Sequence, residues 1–184
     1  MKESPFVKIF EDASKEIFKD TLIIKRGANL LYELPLNNKL ELYFPDLKNP
    51  KRGSSAFQTD ICVFEKTNSI EYPRVVIEFK TKITTHDIIT YSYKAGQHKR
   101  IYPGLRYGLL ASEIDKIPNR FFIHNENIDF LIAAKNYKEK KLKIMIKELI
   151  EKEVETSKTL EKISSSEENC NYYRTEIIFK TFEE

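Results

Sequence analysis

Cysteine and glycine are scarce in this chain and tryptophan is absent. The two cysteines, Cys62 and Cys170, form no CxxC pair, which argues against a structural zinc site and predicts reduced thiols. Five glycines without a GxxxxGKS/T run leave no phosphate-cradling loop of the ATPase kind, so no nucleotide cofactor is expected. No stretch approaches the roughly 18 apolar residues of a membrane span, and Met1-Lys2-Glu3-Ser4-Pro5 lacks the apolar core of a secretory signal. The expectation is a cytoplasmic protein with no membrane partner. Charge of one sign is also lacking: 31 Lys and Arg face 28 Asp and Glu, a formal net charge of +3. Any nucleic-acid reading must therefore rest on where the basic residues fall.

What is present suits one ordinary domain. With 41% hydrophobic and 32% charged residues, 184 positions suffice for a single core under a dense ionic surface. The expected domain spans 1–154, and 155–184 reads as a linker and a C-terminal extension available to pack on it. Phe6, Ile9, Phe10, Ala13, Ile17 and Phe18 recur at helical spacing and predict an amphipathic helix starting near Ser4-Pro5. Leu40, Leu42 and Phe44 alternate with Glu41 and Tyr43, a short strand ended by Pro45. A turn-rich basic loop then leads to a second strand at about 57–65, and Pro73 opens a third over 74–80.

Val75-Val76-Ile77 marks that third strand as central and covered on both faces. Thr84 or Thr85 can cap a helix that Pro103-Gly104 ends, with Gly96 inside it at a cost on the order of 1 kcal/mol relative to Ala. Residues 107–111 follow as a strand reached by a crossover, hence parallel to the third. The apolar segments 121–123 and 130–134 read as one more strand or a hairpin. Residues 138–154 read as a surface helix with Leu142, Met145, Ile146, Leu149, Ile150 and Val154 on one stripe. After a linker at 164–169, residues 172–182 are a candidate late strand. The fold class is α/β, a mixed central sheet flanked by helices.

The triplet (D/E)xK occurs three times, at Asp46, Glu78 and Glu139. The first lies in a proline-bounded loop and the last in the charge run that opens a surface helix. Glu78-Phe79-Lys80 alone ends an apolar strand. Residues two apart on a strand share a face, so Glu78 and Lys80 project together while Phe79 turns away. Asp60, 18 positions earlier, emerges from the neighbouring strand and adds a second carboxylate. Paired hard oxygen ligands suit Mg²⁺, which binds through one or two carboxylates and keeps waters for a phosphate substrate. A nearby ammonium can offset phosphate charge or hold the attacking water.

Asp60 followed by Glu78-Phe79-Lys80 resembles the active-site signature of the PD-(D/E)xK nuclease superfamily. The family core, a helix, three strands, a helix and a fourth strand, matches the order read over roughly the first three-fifths of the chain. The resemblance implies a restriction-endonuclease-like core of αβββαβ order, with Asp60, Glu78 and the Phe79 carbonyl as ligands of catalytic Mg²⁺ and Lys80 orienting or activating water. Many members add a glutamate from the first helix, for which Glu16 is chosen over Glu11. Some carry a Gln and a Tyr on the helix after the motif; Gln97 and Tyr102 are the counterparts, one residue off the usual spacing. Thr59 stands where the family has Pro.

The resemblance implies hydrolysis of a DNA phosphodiester by metal-activated water. The expected protein is a type II-like restriction endonuclease, or its catalytic domain, acting on double-stranded DNA as a homodimer in a bacterium or archaeon. Alternatives are a repair, recombination or transposition nuclease of the same superfamily, or a DNA-binding module that keeps the fold without turnover. Lys94, Gln97, His98, Lys99 and Arg100, interleaved with tyrosines, are the expected DNA contacts, with Lys51 and Arg52 on the loop before Asp60. The competing readings are a solvated helix face, and ion pairing of Asp60 and Glu78 with Lys80 and Arg74. His124-Asn125-Glu126-Asn127 has only a superficial likeness to an HNH nuclease, since three histidines in all are too few.

Overall fold

The computed structural model describes residues 3–43, 48–51 and 55–178. Its centre is a five-stranded mixed sheet between two layers of helices. The elements are α1 (Glu3–Phe18), β1 (Ile23–Arg26), β2 (Asn29–Leu31), β3 (Ala56–Gln58), β4 (Ile61–Thr67), β5 (Ile70–Lys80), α2 (Thr85–Ile101), β6 (Arg106–Ala111), α3 (Asn119–His124), β7 (Phe130–Ala133) and α4 (Glu139–Ser164). The sheet order is β1-β4-β5-β6-β7, with β2 and β3 paired apart from it. Strand β4 runs antiparallel to β1 and β5, whereas β5, β6 and β7 run parallel.

Alternation along β5 assigns the two faces. Val75, Ile77 and Phe79 enter one core with Phe6 and Phe10 of α1 and Ile146 and Ile150 of α4. Val76 faces the other way, toward Ala95 of α2 and Tyr107 of β6. Edge-on contacts of Phe79 with Phe6 and Phe10, at centroid distances of 5.6 and 5.1 Å, seat α1 under the strand end. Burying such a side chain contributes about 1.5–3 kcal/mol. Thr84 caps α2 reciprocally: Asp87 N–H donates to Thr84 Oγ1 (3.1 Å) and Thr84 N–H donates to Asp87 Oδ2 (2.9 Å).

Several sequence expectations change. The first sheet strand is Ile23–Arg26, not 40–44; Leu42 makes only an isolated bridge to Leu36, and Phe44 lies outside the described residues. Strand β5 begins at Ile70, so Pro73 lies within it, opposite Phe64 beside a register irregularity that accommodates the missing N–H. Residues 119–124 are a short helix, leaving β7 as the one strand of that region. Helix α4 continues ten residues beyond 154, because Val154 and Ser157 stay buried and Glu161 reaches Arg74. Residues 172–178 form no strand, and 179–182 lie outside the described residues. No helix among the described residues is long and apolar enough to cross a membrane.

Gly104 does more than end a helix. A Cβ there would lie 2.8 Å from the Ser157 carbonyl oxygen, on backbone that cannot yield cheaply. Gly104→Ala is expected to cost roughly 1–3 kcal/mol by overpacking. In urea denaturation the midpoint should fall with an unchanged slope, and an unaltered midpoint would contradict this packing account.

Candidate active site

Asp60 immediately precedes β4, and Glu78 and Lys80 close β5. Because β4 is antiparallel, its beginning meets the carboxyl end of β5, and the pairing Ile61↔Ile77 carries Asp60 beside Glu78. The Asp60 N–H donates to Glu78 Oε2 at 3.3 Å, and the Phe79 N–H donates to Asp60 Oδ2 at 2.8 Å. In an extended strand the N–H and C=O of one residue point to the same side. The Phe79 carbonyl is thereby turned toward Asp60, while the Lys80 carbonyl accepts from Ser112 N–H on the β6 side (2.8 Å).

The approach to Asp60 is pinned from the β1–β2 turn. Thr59 donates both its N–H (2.8 Å) and its hydroxyl (2.9 Å) to the Ala28 carbonyl, and Gly27 N–H donates to the Asp60 carbonyl (3.1 Å). Gly27 has φ 69°, a conformation that favours glycine, and so it permits the turn that reaches back to Asp60.

Glu78 is only 3% exposed. Burial, then the neighbouring Asp60 charge, push its carboxyl up to about 8, against a partial offset from the Tyr107 hydroxyl, which donates to Oε1 at 2.8 Å. Tyr107 is itself fully buried between Glu78 and the stacked ring of His98. Lys80 lies over Tyr91 with Nζ 5.2 Å from the ring centroid, and Lys94 lies over Tyr91 and Phe57 at 5.1 and 5.3 Å. The Lys94 charge also acts on Glu78. Arg74, proposed above as an ion-pair partner, is taken by Glu65 and Glu161.

The other expected residues divide. Glu16 does not join the pair: α1 packs on the Phe79 side of the sheet, and the Glu16 carboxylate bonds Lys143 of α4 at 2.8 Å. His98 is fully buried, shares Nδ1 with the Leu31 carbonyl at 2.8 Å and is pushed down to about 4 by burial, so it is a core residue and no DNA contact. Lys99 is committed to the Asn127 carbonyl and Asp129, both at 2.7 Å. Gln97 and Arg100 line a groove of about 750 Å³ between α2 and α3, on the flank of α2 turned from Glu78. Tyr102 accepts from Leu31 N–H at 3.4 Å, away from the carboxylates. Lys51 is exposed, and Arg52 lies outside the described residues.

Tyr107 is the functional neighbour that motif reasoning passes over. Its signal is register: Tyr107 pairs with Val76, so Val76, Glu78 and Tyr107 share one face of adjacent parallel strands. Among the described residues no three His, Cys, Asp or Glu side chains converge as a metal cluster, and Asp60 and Glu78 stand as a pair. No family model matches the chain, and no curated protein matches it in sequence.

The raised Glu78 carboxyl gives a signed pH prediction for the metal-free protein. The folded state keeps a proton up to about pH 8 that an ordinary glutamate releases near 4.5, so this stabilisation is full below 4.5 and lost as pH rises through 8. Glu78→Gln removes that loss. Its stability relative to the parent should grow from pH 5 to pH 8, by at most about 1.4 kcal/mol per unit. Denaturation in EDTA at both values checks this; an equal difference at the two would mean that Glu78 is not buried as the neutral acid.

Proposed function

We propose that this chain is a Mg²⁺-dependent endodeoxyribonuclease with a restriction-endonuclease-like core, acting on double-stranded DNA. The observation that carries the reading is the convergence of the Asp60 and Glu78 carboxylates at the end of the central strand, with Lys80 on the Glu78 face. The element order supports it as well. Helix α1, sheet strands β1, β4 and β5, helix α2 and strand β6 follow one another in the order helix, three strands, helix, strand that the PD-(D/E)xK resemblance implies. The biological setting we favour is a type II-like restriction enzyme, as a homodimer whose two copies cut the two strands.

The donor set suits Mg²⁺. Two carboxylates and a carbonyl are hard oxygen ligands, and Glu78 retains its proton beside Asp60 unless a cation is present to hold both groups ionised. Asp60, Glu78 and the Phe79 carbonyl would hold the ion, which when bound supplies Lewis-acid stabilisation of the charge that develops around phosphorus. Tyr107 fixes one Glu78 oxygen, and the Phe79 N–H fixes one Asp60 oxygen, so each carboxylate is oriented before any ligand arrives. Lys80 holds the attacking water and offsets negative charge on the scissile phosphate, with Tyr91 bracing its side chain. Lys94 adds a second positive charge on the same face.

Supercoiled plasmid incubated with the pure protein and Mg²⁺ should be cut, and EDTA should stop the reaction. Asp60→Asn and Lys80→Ala should each slow cutting by about a hundredfold or more, the scale of losing one group that acts on transition-state charge. Undiminished cutting by either variant would remove the proposed centre. Intact DNA binding without cutting by any form would favour a binding module instead.

A further inference from the structure

The basic residues around α2 divide by what neutralises them. Lys99 pairs with Asp129, Arg106 with Asp129 and Glu153, and Arg74 with Glu65 and Glu161. Lys94 is partly buried as well, yet no carboxylate among the described residues makes an ion pair or hydrogen bond with it. Its ammonium stands instead 5.1 Å from the ring centroid of Tyr91 and 5.3 Å from that of Phe57. Phe57 is held in turn by stacking on Tyr32, with centroids 4.1 Å apart, and by an edge contact with His98 at 5.7 Å. A partly buried charge left unpaired costs the fold free energy, and an anion brought from outside removes that cost.

The place of Lys94 in the fold says which anion. Tyr91 and Lys94 are three positions apart on α2 and so are surface neighbours on one helix face. That face is turned to the carboxylates: the Lys94 charge acts on Glu78, and the Tyr91 hydroxyl accepts from Lys80 within range of the Glu78 and Asp60 charges. The Lys80 ammonium stands 5.2 Å from the same Tyr91 centroid. Sharing one ring, the two ammonium groups lie no more than about 10 Å apart. Successive phosphates of one DNA strand rise by only about 3.4 Å along the helix axis, so two cations this close suit neighbouring phosphates of a single strand.

We propose that Lys94 binds the phosphate next to the scissile one, so that the cleaved strand passes from Lys80 across Tyr91 to Lys94 beside Phe57. The proposal rests on the nuclease reading and adds the path of the substrate strand beyond the cut. Lys94 is a binding residue whose contact exists before and during cleavage, so its loss falls on KM rather than on kcat. Lys94→Met is the incisive variant, because methionine keeps an unbranched apolar stem against both rings and removes the ammonium.

The experiment compares the full chain with Lys94→Met and Lys94→Arg. Binding to a short labelled duplex in EDTA across a salt series should show the slope of log affinity against log salt reduced by about one in Lys94→Met. Binding at about 0.1 M salt should weaken roughly fivefold, and Lys94→Arg should restore both quantities. With Mg²⁺, Lys94→Met should raise KM by a similar factor. A methylphosphonate at one of the two phosphates adjoining the mapped cut should weaken the parent and leave Lys94→Met unaffected. Parental salt slope and KM in Lys94→Met, or equal sensitivity of the two proteins to methylphosphonate at both positions, would overturn the assignment while plasmid cutting by the parent upholds the nuclease reading. Equal losses in Lys94→Met and Lys94→Arg with lowered melting temperatures would show a packing role and overturn it too. Absence of cutting by the parent would overturn both readings.

Discussion

Everything at the candidate site depends on the register between β4 and β5. Ile61 opposite Ile77, Cys62 opposite Val76 and Val63 opposite Val75 lock six fully buried residues into two cores. A slip of one residue would exchange the faces and turn Glu78 toward the phenylalanines of α1. The register is therefore held by apolar packing, and the carboxylates take the positions that packing leaves them. The irregularity between Val63 and Phe64 separates this part of the ladder from the hairpin end at Thr67 and Ile70.

That register imposes an electrostatic cost. Glu78 sits in the layer between sheet and α2, beside another carboxylate, and burial with that neighbouring charge favours its acid form although the Tyr107 hydroxyl and the Asp60 N–H both donate to its oxygens. Tyr107 supplies one hydroxyl, and Tyr107 is in turn fixed by its N–H to Asp129 (2.7 Å) and by stacking on His98, whose ring is tied to Leu31. This chain of contacts runs from the small β2–β3 sheet to Glu78. It explains why a histidine and a tyrosine, two residue types often taken for surface contacts, are here among the most buried groups in the molecule.

The residues that were legible in the sequence are those governed by the two-residue period of a strand. Glu78, Phe79 and Lys80 declare their faces as soon as Val75-Val76-Ile77 marks a buried strand, and Asp60 follows from the apolar run after it. Glu16 was not legible because periodicity shows that α1 has an apolar face without showing which side of the sheet that face covers; the choice is made by Phe6 and Phe10 meeting Phe79. Strand β1 escaped notice because Ile23 and Ile24 lead at once into Lys25 and Arg26, too short a run to show alternation. The basic and aromatic cluster around Lys94–Arg100 looked continuous in sequence, but helical rotation divides it. Lys94 lies over Tyr91 and Phe57 and His98 is buried, whereas Tyr93, Gln97 and Arg100 line the groove against α3.

The division of charge follows the direction of the parallel strands. At the amino end of β6, Arg106 binds Glu153 and Asp129, and Lys99 binds Asp129. These half-buried pairs join α2, β6 and α4, and their charge is spent within the fold. At the carboxyl end of β5, Lys80 and Lys94 are braced by the rings of Tyr91 and Phe57. A ring attracts an ammonium through its negative face and so holds the side chain in place without contributing a charge of its own. A chain with a nearly even charge balance thus uses its basic residues in two ways: in ion pairs where they hold layers together, and supported on aromatic rings where the carboxylates converge.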